Sequence, residues 1–363
     1  METFEALPSK TITFLRFLLI VGVVLLHSEF EDVSIEAYPF CDYFSYLLSR
    51  ILATVAVPLF FFISGYLFFC KIDNFDGKTY ISKLKIRVRT LLIPYLFWNL
   101  FTIVLLLFAA QLFPGMMPGF HKLIDSYDWI DWLWAFWDTG HGNPGVAYAM
   151  PINYPFWFIR DLMGVMLLSP LVYFLVRKFK HYVVCLFGIC WLIDCWYDVT
   201  GFSIFAIFFF SAGAYWGIFK KDFIAVVWGR VWYLGIVYAM FAVLELYFRK
   251  VEWIGYVHKI GIVFGMAFCV GICAHFIANG RWRTSSFLGN ASFFIFAYHA
   301  MSLAFITKVM FKIFTHPLYR SHVAVSLFAL SGNHYTYRYW PLLFAKKEFA
   351  SYCGFYDRRK VVR

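Results

Sequence analysis

Two histidines and two arginines stand inside or at the mouths of long apolar runs of this chain, where any ionisable group needs a physical account. The first run reads TFLRFLLIVGVVLLHSEF and carries Arg16 and His27, eleven residues apart. At ~100° per residue that spacing leaves them about 20° apart around a helix and ~16 Å apart along it, so they share one face. A late run, SFLGNASFFIFAYHAMSL, holds His299 about 21 Å along a helix from Ser285. A third, YPFWFIRDLMG, carries Trp157 and sets Arg160 beside Asp161. A charge in hydrocarbon is expensive, so such residues usually face a polar interior or one another. Taken singly, a snorkelling arginine, an interfacial histidine and a local ion pair would account for them. Taken together, His27, His299, Arg160 and Asp161 fall at similar depth toward the outer side and point to one shared polar site, with Arg16 near the cytoplasmic end of the face it shares with His27. Imidazole exchanges protons near neutral pH, and guanidinium stabilises anions such as a phosphate or a developing oxyanion. A histidine that takes the proton of a hydroxyl would let that oxygen attack an acyl carbon. The same groups would equally serve a proton-coupled transporter.

Two further segments carry polar groups. In VPLFFFISGYLFF, Ser64 and Gly65 interrupt a phenylalanine run. Small residues there serve close helix packing, or line a cavity with a hydroxyl. In KLKIRVRTLLIPYLFW, Lys83, Lys85, Arg87 and Arg89 precede an apolar run. They anchor a helix at its cytoplasmic mouth, or form a phosphate-binding patch.

The elements that must position these groups are membrane helices. Of 363 residues, 62% are hydrophobic, 23% are aromatic and only 15% are charged. A soluble domain of this size cannot hide that much apolar surface, which excludes a soluble enzyme, a disordered chain and a secreted disulfide scaffold. The net charge of +11 does not indicate nucleic acid, because the basic residues cluster between apolar runs. A bilayer crossing needs about 20 apolar residues. Nine stretches qualify: 12–30, 47–70, 90–113, 156–176, 182–196 (short), 202–219, 230–247, 255–278 and 285–310. A tenth would begin near Ser321, where only His322 to Leu330 is apolar enough. The expected fold is therefore all-α, a polytopic bundle of about nine to ten spans over residues 1–330, followed by a tail at 331–363.

Loop charge orients it. Lys71, Lys78, Lys83, Lys85, Arg87 and Arg89 follow the second span, Arg177, Lys178 and Lys180 the fourth, Lys220 and Lys221 the sixth, and Arg281 and Arg283 the eighth. The alternate loops carry few. Positive loops stay in the cytoplasm, so the N-terminus is expected inside and the Trp-rich 114–155 loop outside. The eight cysteines form no C-x-x-C and no metal pattern; they read as small buried hydrophobes, and no metal is expected.

The five segments together, in order and spacing, resemble the membrane acyltransferase-3 family over about residues 10–315. Arg16 and His27 reproduce its arginine and histidine separated by ten residues. PLFFFISGYLFF resembles its Phe-rich Ser-Gly segment, and RVRTLLIPYLFW its basic loop leading to a Pro-Tyr pair, here Pro94 and Tyr95. Trp157, Phe158 and Leu162 match its Trp-Phe-x-x-x-Leu segment, and His299 its late histidine. The resemblance implies transfer of an acyl group, often acetyl, from acyl-coenzyme A to a hydroxyl of a cell-envelope carbohydrate, in a bacterial inner membrane. It implies His27 as the lead catalytic residue with Arg16 in support. His299 would act beside them. Ser64, Trp157, Arg160 and Asp161 would serve the acceptor or the oxyanion, and Lys85, Arg87 and Arg89 the cytoplasmic donor. Where the family usually has a tenth helix and a short basic tail, this chain reads SGNHYTYRYWPLLFAKKEFASYCGFYDRRKVVR. A shifted reading frame near 320–335 is one account of it, and a tail lying on the membrane surface is the other. The rival functions are a transporter or flippase for a polar lipid or sugar, which would show broken helices and paired repeats, and an idle scaffold subunit.

Overall fold

The computed structural model describes residues 2–27, 39–112, 127–141, 150–197 and 199–314. The expected tail, the tenth span and much of the outer loop fall outside these residues. Within them the chain is helical throughout, with one isolated bridge between Val199 and Phe202.

In chain order, α1 spans Glu2–Leu26 and α2 Pro39–Ser45. The chain then runs on through a π-helical segment, Tyr46–Leu52, and a short 3-10 turn, Ala53–Val55, into α3, Ala56–Phe69. Next comes α4, Gly77–Arg87, which passes through a second π-helical segment, Val88–Leu92, into α5, Ile93–Leu112. A short α6, Trp129–Trp134, precedes α7, Trp157–Leu167, and α8, Ser169–Phe179. The remainder is α9, His181–Leu192; α10, Ile204–Ile218; α11, Phe223–Trp228; α12, Val231–Phe248; α13, Ile254–Ala278; and α14, Ser286–Phe314.

Each of the nine apolar stretches contains helix among its described residues, and five helices there are long and apolar enough to cross a membrane: Leu7–Leu26, Asp42–Phe69, Gly77–Leu112, Val231–Phe248 and Ile254–Ala278. The fourth stretch departs from expectation. It is broken at Leu168, so that Tyr154–Leu167 and Ser169–Phe179 are separate helices, and counting them as one span raises the total to six. Pro170 follows the break; it lacks the amide proton a continuous helix would need there. His181–Leu192, Ile204–Ile218 and Phe287–Leu303 are shorter apolar helices.

The basic stretch also differs from the expected loop. Lys78, Lys83, Lys85, Arg87 and Arg89 lie on a helix that begins at Gly77 and continues without interruption into the span. Asp76 starts it, its carboxylate accepting from the Thr79 amide at 2.8 Å, the side-chain cap that the first turn's unpaired amides require. Hydrogen bonds from the Thr79 side chain and backbone hold that carboxyl below the ordinary carboxylate range. At the start of α6, Asp128 and Asp131 form a reciprocal capping box.

The described residues divide into two compact units. The first comprises the parts up to Phe75, Ser169–Leu192 and everything from Phe205 on; the second comprises Asp76–Leu168 and Ile193–Ile204. In the first unit α12 and α13 pack along each other, and α1 packs against α3, α13 and α14. The buried face of α1 carries Ile12, Leu15, Leu19 and Val23. Close approach sets the α3–α10 contact. A Cβ on Gly65 would lie 2.1 Å from the Phe210 carbonyl oxygen, and one on Gly213 would lie 1.8 Å from that of Phe62. The Ser-Gly interruption of the phenylalanine run thus serves backbone packing at Gly65. Of the described cysteines, Cys273 is buried but Cys185 and Cys195 are exposed, so the reading of all of them as buried hydrophobes does not hold.

Candidate active site

The first unit brings together two of the expected site residues from the ends of the described chain. His27 follows the last turn of α1, its amide still donating to the Val23 carbonyl at 3.2 Å. His299 lies on α14, 4% exposed. Their imidazoles stack, centroids 5.2 Å apart and planes 30° from parallel. The Nδ1 of His299 is 2.6 Å from the Phe296 carbonyl oxygen. A carbonyl only accepts, so Nδ1 carries the proton and the neutral ring presents its basic lone pair at Nε2. That Nε2 is buried and without a hydrogen-bond partner among the described residues. The pair therefore offers a basic nitrogen that no donor among the described residues occupies, beside a second imidazole.

Arg16 sits one side-chain step from buried Leu15 and is itself exposed. Like His27 it lies at the margin of the buried α1 face, as their eleven-residue spacing requires. Ser64 is half-buried on α3.

The second unit holds the Arg160–Asp161 pair. Both side chains are wholly buried, with Arg160 Nη2 3.1 Å from Asp161 Oδ1. The Arg160 Nη1 donates to the Trp137 carbonyl at 2.7 Å, and the Ser203 hydroxyl donates to Asp161 Oδ2 at 2.7 Å. The arginine also lies over the Trp137 ring, 5.8 Å from its centroid. This is a clamp: it ties α7 to the turn after α6 and to the segment before α10. Each buried charge is matched by a partner charge and by hydrogen bonds, which offset part of its desolvation cost. Trp157, 8% exposed, lies on the same helix. On the helix from Gly77, Lys85 and Arg89 are exposed and Arg87 is half-buried.

Several polar residues escape the sequence reading. Arg50 is 7% exposed inside the second apolar stretch, and Glu245 is 4% exposed inside the seventh. The Tyr46 hydroxyl donates to Glu245 Oε1 at 3.2 Å, and both Glu245 oxygens lie 3.0 Å from His258 Nδ1. Just outside the same helix, Arg249 pairs with Asp42 and stacks over Tyr43 at 4.4 Å. The hydrogen bond to Asp42 raises the Arg249 pKa above its ordinary value. Lys259, 3% exposed, donates to the Trp191 and Leu192 carbonyls at 2.8 and 3.3 Å. It caps the C-terminus of α9 with a cation, where the helix dipole favours one. The signal for Arg50 and Glu245 was present: each is an ionisable group within a stretch otherwise apolar enough to span.

Comparison with known proteins identifies the family. The family model described as an acyltransferase domain matches residues 10–332. The chain belongs to the acyltransferase-3 family and, with its apolar helices, is an integral membrane protein. It is similar to the succinoglycan biosynthesis protein ExoH of Rhizobium meliloti (strain 1021), 31% identical over 183 residues. That match covers 49% of this chain and 45% of the relative, so the chain spans less than half of that protein's length. No solved structure matches.

Proposed function

We propose that this protein is a membrane O-acyltransferase that moves an acyl group, acetyl in the simplest case, from acyl-coenzyme A to a hydroxyl of an exported or cell-surface polysaccharide. The observation that carries the reading is the stacked His27–His299 pair in a chain of the acyltransferase-3 family. His27 acts as general base. It takes the proton of the acceptor hydroxyl as that oxygen bonds to the acyl carbon. The thioester carbonyl becomes an oxyanion; when it re-forms, the carbon–sulfur bond breaks and the imidazolium returns the proton to the thiolate. The net reaction releases no proton. His299 supplies Nε2 as an acceptor that orients His27 or the incoming hydroxyl, and Arg16 supports the donor end.

The donor is assigned to the cytoplasmic side, where Lys85, Arg87 and Arg89 meet its phosphates. Positive-inside charge supports that orientation and a cytoplasmic N-terminus, and the family resemblance supports an inner-membrane location. Ser64 and Trp157 are assigned to the acceptor, and Arg160 and Asp161 act on it through the loop segments they hold. A polysaccharide acceptor is supported by the relative's role in succinoglycan biosynthesis. The test is mass spectrometry of envelope polysaccharide from cells with and without the gene. Acyl esters that vanish with the gene support the proposal, and an unchanged ester pattern defeats it.

A further inference from the structure

One membrane-embedded charge that the mechanism above leaves unused is Arg50. It sits on the π-helical segment Tyr46–Leu52, within a span of 28 residues running from Asp42 to Phe69. A π-helical insertion is less stable than regular helix, and such insertions concentrate at functional sites because they re-aim side chains. This one packs against α1, the helix that His27 follows. Arg50 is buried, at 7% exposure. Where these two elements meet, a Cβ on Gly22 of α1 would lie 3.1 Å from the Ala56 Cβ and 3.7 Å from the Ala53 carbonyl oxygen; Arg50 stands about one turn before Ala53 and His27 about one turn beyond Gly22, at the same end of the contact between two successive, oppositely running spans. One turn before Arg50, Tyr46 donates to buried Glu245, and Glu245 is in turn held by His258 of α13. Through Tyr46, the π-helical segment that carries the guanidinium also holds a buried carboxylate one turn away.

We propose that Arg50 is a further catalytic residue, the cation that stabilises the oxyanion formed on the acyl carbonyl next to His27. This rests on the acyl-transfer reading. In that step the acceptor oxygen bonds to the acyl carbon, the carbonyl electron pair moves onto its oxygen, and Arg50 donates hydrogen bonds to that charge until the carbon–sulfur bond breaks. A fixed cation in a site shielded from water acts on charge that exists only in the transition state, so its loss lowers turnover rather than donor affinity. Glu245 and Tyr46 are positioning residues for it.

The test uses membrane vesicles from cells expressing the full chain, with radiolabelled acetyl-coenzyme A titrated and label counted in the polysaccharide fraction. Arg50→Met lowers maximal incorporation about 10²–10³-fold with the donor KM within about twofold. Arg50→Lys, which keeps the charge but loses the planar fork, falls between Arg50→Met and the native chain. Full incorporation by Arg50→Met overturns the proposal, and so does a loss expressed wholly as raised KM. A second readout does not need acyl transfer: carbethoxylation of His27 by diethyl pyrocarbonate, followed by peptide mass spectrometry across the pH range. Removing an adjacent cation moves the midpoint of that profile upward by about half a pH unit or more; an unmoved midpoint in an inserted Arg50→Met protein overturns the placement of Arg50. If the native chain incorporates no label while the midpoint still moves, acyl transfer to polysaccharide is what fails, and the position of Arg50 stands.

Discussion

The imidazoles of His27 and His299 lie in contact, 5.2 Å between ring centroids, although one closes the first described helix and the other stands on the last. The Phe296 carbonyl fixes the tautomer of His299 and leaves its Nε2 as the open nitrogen. A second-order consequence follows for mutants. If the two rings act as one unit, their losses do not add. Single His27→Ala and His299→Ala variants each lose activity, and the double variant is expected to be no worse than the weaker single by more than about threefold. Label transfer in vesicles from all three measures this, and strictly multiplicative losses argue for two independent roles.

The Arg160–Asp161 pair makes a prediction about stability. Both side chains are fully buried, so removing one partner strands the other charge. Asp161→Ala or Arg160→Ala should cost about 3–5 kcal/mol, whereas an apolar pair, Arg160→Met with Asp161→Leu, should recover much of it. Thermal unfolding of the detergent-solubilised protein reads both. Equal destabilisation by the single and double variants would show that the Trp137 and Ser203 hydrogen bonds, not the charges, hold this region.

The contact between α3 and α10 gives a sharper packing test. Gly213→Ala places a methyl 1.8 Å from the Phe62 carbonyl oxygen and should destabilise by about 1–3 kcal/mol or more, since two backbones must separate. Gly255→Ala, where nothing lies within 4 Å, should be neutral or stabilise by up to about 1 kcal/mol through helix propensity. Comparing the two melting temperatures isolates the close approach from the general effect of replacing glycine.

Much of this architecture can be read from the chain, and what cannot has identifiable causes. Apolar length finds a helix in each of the nine stretches, although only five of the described helices have the length and hydropathy of a bilayer crossing. Length does not report continuity. The break at Leu168, inside a stretch read by average hydropathy, is set by Pro170, and the helical start of α4, in the basic segment between two stretches, by the Asp76 cap. The His27–His299 meeting was anticipated from depth, since two histidines at one level of a bundle have few other partners. Exposure of Arg16 was not, because a shared helix face does not say which neighbour covers it. Arg50 lies near the edge of its stretch, and apolar length and spacing do not single it out. Only the packing of the π-helical segment against α1 draws it toward the histidines.

The basic stretch yields a kinetic prediction. With Lys85 and Arg89 exposed on the helix from Gly77, their replacement by alanine should raise the donor KM about tenfold and leave maximal turnover nearly unchanged. Exposed charges are screened by salt, so the difference should shrink as ionic strength rises. A fall in turnover at saturating donor would mean that these residues do more than hold the phosphates.

The central claim is that the His27 imidazole is the base of an acyl transfer. The most direct measurement is transfer of label from radiolabelled acetyl-coenzyme A to polysaccharide by vesicles containing equal amounts of inserted native and His27→Ala protein. General-base loss predicts a fall of about 10²–10⁴-fold with insertion unchanged. Transfer by His27→Ala at the native rate would contradict the account.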